Sequence, residues 1–210
     1  MKIACLGWGS LIWKPGILPV REGWRHDGPD LPIDFVRVGD GGELDAVISP
    51  GAPLSRVLWT VVETQSLAAA REFLRLREKI PSSQPKCVGS IPCHGRHYPY
   101  AQEIARWARS IGVEGVVWTA LPARFREING RCPTAEEALI HLRNLPEDVQ
   151  RHAELYVRSA PQVVRTNIRS ALEEEFGWYP NDISARVMSI RQGASLAGSS
   201  RRVYRSRIAS

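Results

Sequence analysis

Lys2-Ile3-Ala4-Cys5-Leu6-Gly7-Trp8-Gly9-Ser10-Leu11 opens the chain with an apolar run that stops at two glycines. Lys2–Leu6 reads as a buried strand, because a short continuous apolar stretch bounded by turn residues suits a strand covered on both faces. In Gly7-Trp8-Gly9-Ser10 the glycines allow successive backbone N–H groups to point into one concavity, a nest for an anion such as a carboxylate. Ser10 adds a hydroxyl donor. The plainer reading of so short a stretch is a tight turn without a ligand.

Outward from this turn, Lys14-Pro15-Gly16 breaks regular structure. Leu31–Val38 and Glu43–Pro50 are β-rich runs flanking Asp40-Gly41-Gly42, which predicts a hairpin. Arg56–Glu63 predicts a third strand. Ser66 caps a helix running to about Glu78 that is rich in strong helix formers and stopped by Pro81. Residues 81–98 hold three prolines and two glycines and read as a long loop. A second helix over Tyr100–Ile111 and a buried strand over Gly115–Leu121 follow. Thr134 and Glu137 form a capping box, and helices are expected at about 135–144, 147–158 and 161–176, the last ended by Gly177. Strands come first and helices later, which argues for an α+β fold rather than a wound parallel sheet.

Composition bounds the function. Apolar residues make up 43% and charged residues 24%, as in a folded globular domain rather than a disordered chain. Of the net charge of +6, four charges are Arg201, Arg202, Arg205 and Arg207, which leaves +2 on the preceding 200 residues. The basic balance is therefore largely a property of a Ser/Gly/Arg-rich tail over 193–210, expected to be mobile, and nucleic acid is not the expected partner. The run Ile3–Trp13 is broken by glycines and lacks the cleavage features of a signal peptide, and no stretch approaches the length of a membrane span. Cys5, Cys87, Cys93 and Cys132 form no C-x-x-C pair. Reduced thiols in a soluble, cytoplasmic protein are the expectation.

Glu78 is the candidate for proton chemistry. At 100° per residue it projects about 20° from Leu67 and about 40° from Leu74, beside the apolar stripe of its helix. Partial burial and the dipole of the last helical turn both raise a carboxyl pKa, which suits a general acid/base near neutrality. Arg75 and Arg77 act in the opposite direction, and a boundary glutamate paired with arginine is the plainer reading. Cys93-His94-x-x-His97 brings sulfur and nitrogen donors together, but no second cluster completes a zinc set, so no metal is expected. No phosphate-binding loop, dinucleotide fingerprint or nucleophile elbow occurs. Trp59, Trp107 and Trp118 fall within predicted elements, where core packing explains them.

Leu6-Gly7-Trp8-Gly9-Ser10-Leu11-Ile12-Trp13-Lys14-Pro15-Gly16 resembles the opening stretch of γ-glutamylcyclotransferase-like proteins, and its Trp-Lys-Pro-Gly is closest to the glutathione-degrading branch. The resemblance continues through Leu31–Val38, Gly41-Gly42, Val57–Val62 and Leu74-Arg75-Leu76-Arg77-Glu78. It covers roughly residues 1–80, with the strand at 115–121. It implies a mixed β-barrel surrounded by helices. The length suits a single domain, expected over 1–192 with its core at 1–122, and residues 123–180, which do not resemble the family core, read as an added helical section. The resemblance also implies a lyase or acyl-transfer activity that releases 5-oxoproline and a free amine from a small γ-glutamyl peptide or amine, with no cofactor. Glu78 would be the catalytic acid/base, and Gly7, Trp8, Gly9, Ser10 and Leu11 would bind the substrate. Trp8 stands where the family usually has tyrosine, and Lys79 stands where many members have glycine. The alternative is a non-catalytic member of the fold that binds a small acidic ligand or a protein partner.

Overall fold

In the computed structural model, which describes residues 1–21, 23–64 and 66–181, the opening run forms strand β1 (Ile3–Gly7), buried along its whole length. Its side chains divide between two hydrophobic clusters, Ala4 and Leu6 in one and Ile3 and Cys5 in the other. Strand β7 (Gly115–Thr119) divides the same way, with Val116 and Trp118 facing the first cluster and Val117 the second. The period of two thus places apolar residues on both faces of one sheet, which explains why these strands read as unbroken apolar runs.

That sheet has the order β5-β1-β7-β6, with β5 (Leu58–Val62) antiparallel to β1, β7 parallel to it, and β6 (Val88–Ile91) on the far edge. Helix α1 (Leu67–Arg77) covers one face with Leu67, Ala70 and Leu74. Ser66 caps it as expected, its hydroxyl accepting from the Ala69 amide. Helix α2 (Ala101–Ser110) packs Ile104 and Ala108 against β7 and β6 from the other side.

The predicted hairpin is present as β2 (Asp30–Val38) and β3 (Leu44–Ile48), paired antiparallel around a turn with Gly42 at φ 84°. The second sheet runs β3-β2-β8-β9, with β8 (Arg124–Phe125) parallel to β2 and antiparallel to β9 (Ile128–Asn129). β4 (Leu54–Arg56) also pairs with β2.

Among the described residues neither sheet closes, so the architecture is α+β with two open mixed sheets and not the expected barrel. The run expected as one strand over 56–63 is split at Val57. β4 stays with β2, β5 crosses to β1, and the Val57 amide between them donates to the Pro29 carbonyl. The outer edge of β5 is met by Val20, which bridges Val62, and by Arg25, which exchanges two backbone hydrogen bonds of 2.8 and 3.0 Å with Trp59. The edge that a barrel would need for closure is partly taken.

Two further differences concern short strands. β6 lies inside the segment expected as loop. Its Gly89 is there because the Trp118 indole packs on the backbone, leaving 2.1 Å between that ring and any added Cβ. The section over 123–180 contains, besides helices, the β8–β9 hairpin that extends the second sheet. Its helices are α3 (Ala135–Arg143), opened by the predicted Thr134–Glu137 capping box, α4 (Glu147–Ser159) and α5 (Asn167–Phe176). α5 begins six residues later than expected, where the Thr166 hydroxyl accepts from the Arg169 amide, and ends at Gly177 at φ 68°. Ala138, Leu142, Ala153, Val157, Ile168 and Leu172 bury these helices against the first cluster. Met1–Pro180 form one compact unit; the expected domain end at 192 and the basic tail at 193–210 lie outside the described residues. No helix among the described residues is long and apolar enough to cross a membrane.

Candidate functional site

Gly7, Trp8, Gly9, Ser10, Leu11 and Glu78 line one cavity of about 730 Å³. The loop that follows β1 coils into a short turn, with the Ile12 amide donating to the Gly9 carbonyl at 3.0 Å and Lys14 to Ser10 at 2.9 Å. Neither Gly7 nor Gly9 has positive φ; in this loop that conformation belongs to Gly16. Their smallness serves close approach. A Cβ on Gly7 would lie 2.5 Å from the Trp24 ring, and one on Gly9 would lie 2.6 Å from the Tyr156 hydroxyl. The Trp8 indole is buried and donates to the Ala46 carbonyl at 2.9 Å, so it fastens the loop to β3.

Glu78 is the residue at which α1 ends. Its side chain retains 15% exposure, and its carboxylate accepts from Arg77 Nη1 at 2.7 Å. The same guanidinium donates to Ser10 Oγ at 3.1 Å and to the Lys14 carbonyl at 2.6 Å. Arg77 therefore ties the glycine loop to the glutamate, and the two sequence-predicted parts of the site meet through one side chain. Burial holds the Glu78 carboxyl above its usual range, and Arg77 partly offsets this. Arg75, read as a second neighbour, turns instead to Glu72 and the Ile80 carbonyl.

The chain leaves α1 through a Schellman turn. Lys79 N–H bonds to Leu76 O, Ile80 N–H bonds to Arg75 O, and Lys79 occupies the left-handed region at φ 54°. Glycine is the usual residue in that conformation, so lysine at this position is accommodated with strain.

Another part of the lining was not anticipated from the sequence. Glu43 and Asp45, two apart on β3 and its approach, face the cavity together with Tyr156 from α4. The Tyr156 hydroxyl donates to Asp45 and accepts from the Ala46 amide, while its ring meets Trp13 and Phe35 edge-on at 5.5 and 6.4 Å. Burial pushes the Asp45 carboxyl up to about 7, and the charges of Glu43 and Glu78 add to the rise while Tyr156 and Arg37 counter it. Tyr156 is held well above the ordinary phenol range, by burial first and then by Asp45. Asp45 thus senses the charge of Glu78, which lines the same cavity. Two buried atoms there, Glu43 Oε2 and Thr119 Oγ1, have no hydrogen-bond partner among the described residues, which leaves polar positions for a ligand.

The signal for this part of the lining was present but weak. Glu43 and Asp45 are acids alternating with apolar residues in a strand whose other face is buried. Tyr156 gave none, since its partners lie more than a hundred residues away. Among the described residues, no group of three or more His, Cys, Asp or Glu side chains is arranged to hold a metal ion. The chain matches no protein-family model, no curated protein and no solved structure.

Proposed function

We propose that the chain is a cyclotransferase that converts a γ-glutamyl peptide or γ-glutamyl amine into 5-oxoproline and a free amine. The observation that carries this reading is the Glu78 carboxylate, raised in pKa by burial, joined through Arg77 to Ser10 of the glycine loop in one cavity. The substrate supplies its own nucleophile, so folding it into a near-attack geometry contributes much of the rate.

The proton balance fits two buried carboxyl groups. The α-ammonium loses two protons in all and the leaving nitrogen gains two, so nothing is exchanged with solvent over the cycle. Glu78 takes the first proton, which frees the amine to attack the δ-carbonyl and form the ring C–N bond. Loop donors at Gly9–Leu11 steady the oxygen that becomes negative. Glu78 then returns the proton to the leaving nitrogen as the old C–N bond breaks. Asp45, with a carboxyl that titrates near neutrality and a hydroxyl partner in Tyr156, is suited to carry the second proton from the ring nitrogen to the released amine. This chemistry calls for no cofactor.

The second reading is a binding protein of the same fold without turnover. It is favoured by the Glu78–Arg77 ion pair, which lowers the proton affinity of the glutamate, and by Lys14, Arg37 and Lys79 on the cavity wall, which suit an acidic ligand. One experiment separates the two. Purified protein is offered a panel of γ-glutamyl peptides and amines, and 5-oxoproline is assayed. The enzyme reading expects turnover that falls at least about a hundredfold in Glu78→Gln. Undiminished turnover in that variant overturns the role of Glu78, and binding of panel members without any 5-oxoproline establishes the second reading.

A further inference from the structure

A second cavity, of about 400 Å³, lies beside α1 and shares no lining residue with the first. Arg71 and Arg75, one turn apart on α1, meet Arg96 and His94 from the loop that follows β6 there. Arg75 is neutralised, since both carboxylate oxygens of Glu72 accept from it at 2.7 Å. Glu72 is also the one acid among the described lining residues.

Arg71 is held by neutral acceptors, Ser90 Oγ at 2.7 Å and the Pro85 carbonyl at 2.9 Å. These bonds orient its guanidinium, and among the described residues no carboxylate pairs with it. Arg96 is half-buried, and among the described residues its side chain, like that of His94, has no hydrogen-bond or ion-pair partner. The left-handed His94 and Gly95, at φ 47° and 77°, make the tight turn that presents both side chains to the cavity.

Two guanidinium groups that line one small concavity, with no carboxylate partner among the described residues, favour an anion there. Arginine matches phosphate oxygens with paired donors, and a phosphate monoester carries close to two negative charges near neutral pH. Leu67, Ala68, Val88 and Pro85 supply an apolar wall for the organic part of such an ester. The volume suits a small organic ligand.

We propose that this cavity binds a small phosphate monoester, with Arg71 and Arg96 gripping the phosphoryl group and the apolar wall taking its organic body. The proposal does not depend on the cyclotransferase reading, since Glu78 lies in the other cavity.

Isothermal titration of the full chain with phenyl phosphate, inorganic phosphate and phenyl sulfate, at constant ionic strength, tests it. Phenyl phosphate is expected to bind one equivalent, tighter than either of the others, and about tenfold more weakly in Arg96→Gln. Arg96 has no side-chain partner to lose among the described residues, so the melting temperature of that variant is expected to match the parent and to exclude misfolding as the cause. Glu78→Gln is expected to bind phenyl phosphate like the parent. No saturable heat overturns the proposal, as does equal affinity in Arg96→Gln, which would place the anion elsewhere. Equal affinity for inorganic phosphate and phenyl phosphate overturns the ester and identifies the ligand as free phosphate.

Discussion

Asp45 sits between the buried residues Leu44 and Ala46 of β3, and the solvation it loses there sets its chemistry. Its carboxyl is raised to about 7 when folded, against about 3.9 in an unfolded chain. Glu78 is shifted in the same direction. Both acids hold their proton more tightly in the folded state, so folding takes up protons and stability falls as pH rises from about 4 to about 7. Below that window the contribution is fully present, and above it the loss is complete. Urea denaturation is expected to give a chain less stable at pH 8 than at pH 5 by about 2 kcal/mol, with most of that difference gone in Asp45→Asn. A variant that keeps the full pH dependence would show that Asp45 is not the group responsible. Asp45 was legible in the sequence only as an acid out of place in a strand. Its proton affinity comes from burial in the cavity and from the charges of Glu43 and Glu78, which no local pattern encodes.

At the scale of elements, each helix end is fixed by a few named contacts. Lys79 ends α1 in the conformation that favours glycine, at a cost of about 1 kcal/mol from its Cβ. Lys79→Gly is expected to raise stability by up to about 1 kcal/mol, reduced by the extra freedom glycine has when unfolded, and thermal melting measures the shift. A lower melting point would mean that the lysine side chain makes a contact worth more than the strain.

Arg169 joins α4 to α5 from a fully buried position, donating to the carbonyls of Val157, Ala160, Pro161 and Val164 and pairing with Glu173. Arg169→Leu strands those acceptors and the carboxylate together and is expected to cost about 3 kcal/mol or more by denaturant titration. A loss under about 1 kcal/mol would show that water replaces the guanidinium. Capped helices such as α1 and α3, and the Gly41-Gly42 hairpin, were legible because their signals are local. β6, β8 and β9 were not. A four-residue strand whose glycine is dictated by Trp118 reads as loop, and two-residue strands have no period to detect. The break at Val57 was equally silent, because the choice between two sheets is made by partners and not by the strand's own residues.

Across the compact unit, the site exists because segments far apart in the chain converge on the glycine loop. α1 reaches it through Arg77 and Glu78, β3 through Ala46 and Trp8, and α4 through Tyr156. Gly7–Leu11 and Glu78 were legible from their own stretches of sequence. The contribution of α4 was not, because residues 123–180 resembled nothing that pointed to a site. The junction between α4 and the loop is a single tight approach, the Tyr156 hydroxyl over the Gly9 backbone. Gly9→Ala forces a methyl group to within 2.6 Å of that oxygen, so either α4 or the loop must shift. Overpacking of this kind costs about 1–3 kcal/mol. Tyr156→Phe removes the oxygen, at the expense of the hydrogen bonds to Asp45 and the Ala46 amide, a loss of about 1–2 kcal/mol. If the contact is what couples the helical section to the loop, the alanine methyl takes the space the hydroxyl leaves, and the double variant is less damaged than the two single losses together. A double-mutant cycle by urea denaturation is expected to give a favourable coupling of at least about 0.5 kcal/mol, where independent sites give none. Additive losses would mean that α4 yields freely at Gly9, and that the loop takes its shape from β3 and Arg77 alone.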